Sequence, residues 1–213
     1  PAKIIPGLHQ IVGGKAQLSR IRDVRIEDLL RRKPVELDMQ GLTRFIQGEA
    51  ILVTGAGGSI GSELCRQIVR FAPRALYMVE RSENALFEID RELRQMDLGD
   101  IELVPAIGDI TDAERIRDII VTGRPSVIFH AAAHKHVPMV EANPAEAIKN
   151  NLGGTINVVD IAGQLNVPNF VMISTDKAVN PTSMMGATKR GAELYIQSVR
   201  NDYPATKFAS VRF

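Results

Sequence analysis

The sequence predicts an α/β fold: a doubly wound parallel sheet covered by helices on both faces. From Ile51 onward, short runs of apolar and β-branched residues alternate with segments of helical periodicity. The short runs are apolar on both faces, which is typical of strands buried between two layers of helices. Because crossovers between parallel strands are right-handed, this rhythm favours the doubly wound order.

Six strands and five helical segments are expected in one domain, residues 50–213. The predicted strands are Ile51–Thr54, Ala75–Glu80, Ile101–Ala106, Ser126–Ala131, Asn169–Ser174 and Lys207–Arg212. The predicted helices are Ser59–Phe71, Glu83–Met96, Ala113–Thr122, Pro144–Leu165 and Met184–Asp202.

Residues 1–49 break this rhythm. Pro6-Gly7, Gly13-Gly14 and Pro34 interrupt them and leave one short amphipathic helix around Ile26–Arg32. We interpret them as a linker or the tail of a preceding domain. Because the chain begins with Pro1 instead of Met, we expect it to be a piece of a longer protein.

The composition excludes several classes of function. The 213 residues include 26 Lys and Arg against 25 Asp and Glu, and this near balance gives no support for nucleic-acid binding. The single cysteine, Cys65, excludes an intramolecular disulfide and is interpreted as buried helix packing. The longest apolar runs fall short of the roughly 20 residues of a membrane helix, and no secretory signal opens the chain.

The first predicted strand leads into a glycine-rich turn, TGAGGSIG at residues 54–61. Gly55, Gly58 and Gly61 stand where a strand must turn sharply, approach a pyrophosphate closely and pack a helix tightly, and none of these tasks tolerates a side chain. The free N–H groups at the start of the helix, near Ser59 and Ile60, supply an anion site. The turn therefore predicts dinucleotide binding.

Two alternative interpretations of this turn exist. The glycines could serve packing alone. A P-loop would need Lys after its last Gly, whereas position 62 is Ser, which disfavours that motif.

An acidic residue follows the turn at the expected distance. Glu80 ends the second strand, where its carboxylate can accept hydrogen bonds from a ribose 2′-hydroxyl and repel a 2′-phosphate. The adjacent Arg81 could attract such a phosphate. NAD is therefore favoured over NADP, and Ser82 is counted among the cofactor-binding residues.

A second carboxylate follows the third strand. Asp109, next to Ile110, stands where it could meet the adenine amino group, and both residues are candidate cofactor contacts. Asp109 could instead cap the following helix together with Thr111 and Asp112.

Three later segments carry polar residues in compact groups: FHAAAHKHVP at 129–138, STDKAVNP at 174–181 and GATK at 186–189. With the glycine turn, they resemble the bacterial polysaccharide-biosynthesis nucleotide-sugar 4,6-dehydratases of the extended short-chain dehydrogenase/reductase superfamily. The resemblance covers Ile51–Phe213. Its specific part is Thr-Asp-Lys at 175–177, which resembles the dehydratases rather than the 4-epimerases.

The resemblance implies a redox-neutral reaction on a nucleotide sugar, with UDP-N-acetylglucosamine as the expected substrate. Hydride leaves C4 for bound NAD, water is eliminated across C5 and C6, and hydride returns to C6. In this family Thr175 would orient a hydroxyl, Asp176 would protonate the departing 6-hydroxyl and Lys177 would take the C5 proton. These roles require the pKa of Lys177 to fall and that of Asp176 to rise in an enclosed site. The alternative is a solvated ion pair on a loop.

One position departs from the superfamily. Four residues before the motif lysine most members carry a tyrosine that acts as base, whereas this chain carries Met185, as the family's long members do. Lys189 matches the lysine that binds the nicotinamide ribose. Another group must deprotonate the 4-hydroxyl, and Lys177 is the first candidate because it is expected at the same reacting face.

The loop after the fourth strand is expected to cover the cofactor. Its candidate contacts are Ala131, Ala132, Ala133 and Lys135, with Lys135 near phosphate or substrate. No metal site is predicted, because His134 and His136 have no clear carboxylate or cysteine partner. Asn150, a further candidate contact, and Asn151 either cause a helix kink near the site or cap a turn.

The resemblance also concerns the setting of the protein. Residues 25–38 resemble the linker of the family's long members, which implies a membrane anchor before Pro1, the cytoplasmic face of the bacterial inner membrane, and a homo-oligomer. A substrate-binding region follows the sixth strand in this family, so we expect this chain to bind NAD(H) but to turn over substrate poorly. The alternatives are a 4-epimerase and a non-catalytic dinucleotide-sensing module, the latter favoured by Met185 and disfavoured by Thr175-Asp176-Lys177.

Overall fold

The computed structural model describes residues 38–213 and two short segments, 3–4 and 22–23. The chain forms two compact units, Pro1–Met39 and Gln40–Phe213. In the first unit, Lys3–Ile4 and Arg22–Asp23 pair as antiparallel strands. The helix expected around Ile26–Arg32, and the linker up to residue 37, lie outside the described residues.

Six strands form one sheet in the second unit. They are β1 (Ala50–Thr54), β2 (Ala75–Glu80), β3 (Glu102–Ile107), β4 (Val127–His130), β5 (Asn169–Ser174) and β6 (Lys207–Arg212). Their order is β3-β2-β1-β4-β5-β6, and every neighbouring pair is parallel. The chain winds from β1 to one edge and then from β4 to the other, so the predicted doubly wound fold is confirmed.

Helices connect the strands across both faces. The α-helices in the described region are α1 (Met39–Ile46), α2 (Ser59–Val69), α3 (Glu83–Arg94), α4 (Ala113–Gly123), α5 (Val137–Ala142), α6 (Pro144–Ala147), α7 (Thr155–Gln164) and α8 (Met184–Ser198). A π-helical segment, Ile148–Gly154, joins α6 to α7. Short 3₁₀ turns lie at Asp176–Ala178 and Val199–Asn201.

The short strands Lys3–Ile4 and Arg22–Asp23 were not predicted. In the second unit the predicted elements differ from the observed ones in three main places. Helix α1 was not predicted, yet its Ile46 is buried in the same apolar cluster as Ile51, so the packed unit begins before residue 50. Helix α5 was also missed because its six residues are too few to show a period. The helix expected over Pro144–Leu165 is interrupted by the π segment.

The π segment is stabilised by a side chain that bonds outside the helix. Asn151 accepts a hydrogen bond from the His134 amide (2.7 Å) and donates to the His134 carbonyl (3.0 Å). Asn150 and Asn151 are both buried in this segment. Of the two roles considered for them, the structure places both asparagines at a helix irregularity.

Both faces of the central strands β1 and β2 are buried. Ile51 and Val53 of β1 pack with α2 and α3, whereas Ala50 and Leu52 pack with α4, α7 and α8. Cys65 lies in the first cluster, and its burial raises the pKa of the thiol to about 12, so it is a packing residue. No helix among residues 38–213 has both the length and the apolar character needed to span a bilayer.

Candidate functional site

The turn after β1 is shaped by backbone contacts that leave no room for side chains. Gly55 has φ of +69°, and a Cβ there would lie 2.7 Å from the backbone of Ala132. A Cβ on Gly61 would lie 1.9 Å from the Gly55 carbonyl oxygen. Gly58 is less crowded, at 3.2 Å from the same oxygen. The turn, the start of α2 and the loop after β4 therefore meet without intervening side chains.

A fourth glycine of this turn was missed in the sequence. A Cβ on Gly57 would lie 2.5 Å from Cβ of Ala85, so Gly57 allows α3 to pack against the turn. Its amide also donates to Oε2 of Glu80 at 3.2 Å. The doubled glycine at positions 57 and 58 is the sequence feature from which the role of Gly57 could have been predicted.

The first turn of α2 is open to an anion. Gly58 stands at the N-cap and has no side chain to accept hydrogen bonds from the first N–H groups. Nζ of Lys135, from the loop after β4, donates to Oγ of Ser59 at 3.0 Å. A positive charge and a helix N-terminus thus lie together over the predicted pyrophosphate position.

Two adjoining cavities run along the carboxyl edge of the sheet. The first, about 260 Å³, is lined by Gly55, Gly57, Gly58, Val79, Glu80, Arg81, Ala85, Gly108, Asp109, Ile110, Ala131, Ala132, Ala133, His134 and Asn150. The second, about 400 Å³, is lined by Gly58, Ser59, Ile60, Gly61, Ala131, Ala133, His134, Lys135, His136, Met139, Val140, Asn143, Glu146 and Ala147. Because the two cavities share Gly58, Ala131, Ala133 and His134, they form one continuous groove. Most of the predicted cofactor contacts line this groove.

Glu80 is fixed at one end of this groove by backbone donors. Its Oε2 accepts from Gly57, and its Oε1 accepts from the amide of Ser82 at 3.0 Å. Ser82 caps α3 through the amide of Ala85. The Glu80 carboxylate therefore joins the glycine turn to the start of the next helix and still lines the first cavity.

Asp109 combines a structural and a cavity-lining position. Its Oδ1 accepts from the amide and the hydroxyl of Thr111 at 2.9 and 2.8 Å, while Asp112 is the residue that caps α4. Burial alone would raise the pKa of Asp109, but the Thr111 bonds and the charge of Arg81, 3.8 Å away, bring it below its usual value. Arg81 also contacts Nε2 of His134 at 3.5 Å, across the first cavity.

A buried histidine at the end of β4 connects β1 to the start of α7. Nδ1 of His130 lies 2.8 Å from the Thr54 hydroxyl, and Nε2 lies 2.9 Å from the Thr155 hydroxyl. Thr155 already donates to the Asn151 carbonyl, so it accepts from Nε2–H and Nδ1 accepts from Thr54. Complete burial lowers the pKa of His130 to about 3 and keeps it neutral. No sequence pattern indicates this role, because the histidine simply ends an apolar strand.

The Thr-Asp-Lys segment forms an exposed turn after β5. Oγ1 of Thr175 donates to Oδ1 of Asp176 at 3.0 Å and accepts from the Lys177 amide at 3.3 Å. Nζ of Lys177 lies 3.3 Å from the same Oδ1, and the two charged side chains are 55% and 73% exposed. The Thr175 hydrogen bond, followed by Lys177, lowers the pKa of Asp176 below its usual value. The enclosed, raised-pKa state expected for Asp176 is not present, and the geometry is that of an ion pair on a loop.

This turn nevertheless lies directly against the start of α8. A Cβ on Gly186 would lie 2.2 Å from the Lys177 carbonyl oxygen. The preceding residue, Met185, is 5% exposed and packs with Val140 and Ala147, which line the second cavity. The structure therefore brings Lys177 next to the position where the superfamily carries its tyrosine.

Lys189, one turn further along α8, is a different kind of lysine. It is 5% exposed, and burial lowers the pKa of its ammonium group to about 8. Among the described residues, no carboxylate lies within ion-pair distance of it.

The predicted catalytic residues lie beside the groove rather than along it. Within the described part of the chain, neither cavity is lined by Thr175, Asp176, Lys177, Met185 or Lys189. The same region contains no group of three or more His, Cys, Asp or Glu side chains placed to bind a metal ion.

The chain is similar in sequence to proteins of polysaccharide biosynthesis. A family model described as polysaccharide biosynthesis protein matches residues 51–213. The capsular polysaccharide biosynthesis protein CapD of Staphylococcus aureus is 47% identical over 209 residues, 98% of this chain and 35% of CapD. A UDP-N-acetylglucosamine 4,6-dehydratase (inverting) of Campylobacter jejuni is 32% identical over 176 residues, 79% of this chain and 49% of that protein.

A solved structure is also similar. The X-ray structure of Pen from Bacillus thuringiensis matches with a TM-score of 0.72 and 34% identity, over 79% of this chain and 51% of that one. The chain thus spans 35% of CapD, 49% of the dehydratase and 51% of Pen.

Proposed function

The chain belongs to the polysaccharide biosynthesis protein family, and we propose that it is the dinucleotide-binding part of a nucleotide-sugar 4,6-dehydratase acting on UDP-N-acetylglucosamine. The observation that carries the proposal is the packing of the Thr175–Lys177 turn against Gly186, next to Met185. The similarity to a Campylobacter jejuni dehydratase supports the same reaction.

The groove fits a nicotinamide dinucleotide. A Cβ at Gly55, Gly57 or Gly61 would collide with neighbouring atoms, so the turn has the close-approach geometry that a pyrophosphate requires. The N-terminus of α2 and Lys135 supply positive charge at that point. The adenosine half would lie in the first cavity, near Glu80 and Asp109.

We propose NAD rather than NADP as the cofactor. The Glu80 carboxylate is oriented by two backbone amides and lines the cavity where the adenine ribose would lie. Its charge would repel a 2′-phosphate. Arg81, which could attract that phosphate, already contacts Asp109 and His134.

The bound nicotinamide would supply hydride acceptance from C4 of the sugar and hydride return to C6. Thr175 would orient the sugar hydroxyl, and Asp176 would protonate the departing 6-hydroxyl. Because Thr175 and Lys177 lower the pKa of Asp176, Asp176 is a carboxylate when no substrate covers it. Enclosure by substrate, which replaces these bonds and removes water, is therefore required to raise its pKa before it can act as an acid.

Lys177 would first take the 4-hydroxyl proton, in place of the missing tyrosine, and pass it to Asp176, whose Oδ1 lies 3.3 Å from its Nζ. Asp176 would release that proton with the departing 6-hydroxyl as water, and the freed amine of Lys177 would take the C5 proton and return it as hydride adds to C6. The Lys177 carbonyl oxygen packs against Gly186, so Lys177 lies next to position 185 in the fold. The Met185 side chain can neither donate nor accept a proton, and it packs in an apolar cluster with Val140. Lys189, buried one turn away, would bind the nicotinamide ribose.

The test is turnover of UDP-N-acetylglucosamine by the intact protein with NAD, followed by product mass. Loss of one water is expected, and Asp176→Asn should lower kcat by about 100-fold, the scale of general acid catalysis. Asp97→Asn, at an exposed position, is the matched control. A product of unchanged mass would indicate a 4-epimerase, and NAD binding without turnover would indicate a sensing module. Either outcome would overturn the proposal.

We extend the proposal to the setting of the intact protein, as a homo-oligomer anchored at the cytoplasmic face of the bacterial membrane. This part rests on the resemblance of residues 25–38 to the linker of the family's long members. Cell fractionation with the tagged intact protein tests it, because recovery in the soluble fraction would contradict the anchor.

A further inference from the structure

A buried carboxylate with four donors lies on α8, one turn beyond Lys189. Glu193 is 2% exposed. It accepts hydrogen bonds from Oγ of Ser174 (2.7 Å), from Nε and a terminal nitrogen of Arg212 (2.8 and 2.5 Å) and from Arg190 (3.0 Å). The paired bonds from Arg212 are the main reason that the pKa of Glu193 falls to about 2. The carboxylate is therefore charged and fully paired at neutral pH.

Two of these donors lead to the Thr175–Lys177 turn from different sides. Ser174 ends β5 and is joined directly to Thr175. Arg212 ends β6, and the carbonyl of the next residue, Phe213, accepts from the amide of Asp176 at 2.9 Å. Glu193 thus connects α8 to both strand ends between which the turn lies.

The turn has few other contacts that could fix its position. The side chains of Asp176 and Lys177 are mostly exposed, and the hydrogen bonds of their side chains stay within the turn. Such local bonds set the shape of a turn but not its place relative to α8. The contacts that set its place are the burial of Ala178, the Gly186 packing, the Asp176 amide bond to Phe213 and the bonds that converge on Glu193.

We propose that Glu193 is a positioning residue, which places the Thr175–Lys177 turn against α8 and thereby relative to Lys189. The part of this proposal that concerns catalysis rests on the function proposed above. A carboxylate is required because it alone offers two acceptor oxygens to donors on three sides. Glutamine would offer one oxygen and turn an NH₂ group towards a guanidinium, leaving buried donors unpaired.

The experiment compares Glu193→Gln with Glu92→Gln in the intact protein. Glu92 is the control for loss of an arginine pair, because it also accepts two bonds from one arginine, Arg66 (2.6 and 2.8 Å), and joins two helices far from the turn, at a position where its side chain is 44% exposed. Amide hydrogen exchange of residues 174–178, measured by mass spectrometry, should rise about tenfold in Glu193→Gln and stay unchanged in Glu92→Gln. Affinity for NAD should stay within about twofold.

Turnover gives a second readout that general destabilisation would not move in the same way. With substrate, kcat of Glu193→Gln should fall about tenfold while KM changes little, because a displaced turn loses contacts made in the transition state. Should Glu193→Gln fail to fold, Ser174→Ala removes one connection only and should raise exchange of the same residues by a smaller factor. Unchanged exchange at residues 174–178 in a folded variant, or a rise spread over the whole sheet, would overturn the proposal.

Exchange needs no substrate, so the two proposals fail separately. A wild-type protein that forms no dehydrated sugar overturns the proposed function, and exchange still decides the role of Glu193. A wild-type protein that dehydrates its substrate, with a Glu193→Gln variant of equal kcat and equal exchange, overturns the role of Glu193 alone.

Discussion

The two turns of the candidate site are built by opposite means. The turn after β1 is shaped by backbone, since added Cβ atoms at Gly55 and Gly61 would lie 2.7 and 1.9 Å from backbone atoms. The turn after β5 is shaped by side chains, through Thr175, Asp176 and the buried Glu193. A turn built from backbone has its binding geometry before any ligand arrives. A turn built from exposed side chains reaches the pKa values that catalysis needs only when a ligand covers it.

A similar contrast in exposure separates the two lysines to which we assign roles at the candidate site, Lys177 and Lys189. Lys189 is 5% exposed, and burial lowers the pKa of its ammonium group to about 8. The side chain of Lys177 is 55% exposed and pairs with Asp176. The buried ammonium group of Lys189 therefore destabilises the folded chain, whereas the exposed one of Lys177 has almost no effect on its stability.

The largest expected effect comes from filling the backbone-built turn. In Gly61→Ala the new methyl cannot coexist with the Gly55 carbonyl oxygen, so the turn must shift and the N–H groups of α2 no longer meet a pyrophosphate. We expect the Kd for NAD to rise by about 100-fold or more, measured by titration calorimetry.

Gly191→Ala is the matched control for this substitution. Its Cβ would make an ordinary contact of 3.5 Å with Leu152, within an α-helix where alanine is favoured over glycine. NAD affinity should not change in this variant. Wild-type affinity in Gly61→Ala would show that side-chain contacts, rather than the backbone, define the cofactor turn.

The next effect concerns stability and separates the two lysines. Lys189→Met removes a buried ammonium group whose pKa falls from 10.5 to about 8, which corresponds to about 3 kcal/mol of folding free energy. We expect the free energy of unfolding at pH 7 to rise by up to this amount, measured by denaturant titration, while the ribose contact proposed for Lys189 would be lost. Lys177→Met, at the exposed position, should leave stability nearly unchanged.

The pH dependence of this gain has a defined sign. Between pH 8 and 10.5 the unfolded chain holds a proton on Lys189 that the folded chain has lost, so wild-type stability rises with pH across this window relative to the variant. The advantage of Lys189→Met is therefore full below pH 8 and fades towards pH 10.5. An advantage independent of pH would mean that the ammonium group is not desolvated.

Sequence reasoning found the backbone-built turn more fully than the side-chain turn. Glycine spacing after a strand is local, so Gly55, Gly58 and Gly61 could be identified without knowing the fold. The role of Glu193 depends on Ser174 and Arg212, each 19 residues away along the chain, and no local pattern encodes those contacts. The six strands of the sheet were predicted within a residue at each end, and in β1, β2 and β4 burial on both faces leaves a continuous apolar run.

The helical irregularity escaped prediction for a related reason. The π segment around Asn151 depends on hydrogen bonds to His134, 17 residues before it in another element. Helical periodicity continues through such a segment, so the pattern predicted one uninterrupted helix. The exposure of Asp176 could not be predicted from the motif either, because motif spacing carries no information on which surface covers a turn.

The smallest expected effect tests the exposed edge of the cofactor turn. Lys135 reaches the start of α2 through Oγ of Ser59 and is exposed, so its charge acts through solvent. Lys135→Met should raise the Kd for NAD by about fivefold at low salt, and the difference should shrink as ionic strength screens the charge. Lys207→Met, at the amino end of β6 and so on the opposite edge of the sheet, should have no effect at any salt concentration. A loss in Lys135→Met as large as that of Gly61→Ala would mean that a side chain, and not the glycine backbone, determines dinucleotide affinity, and the contrast between the two turns would not hold.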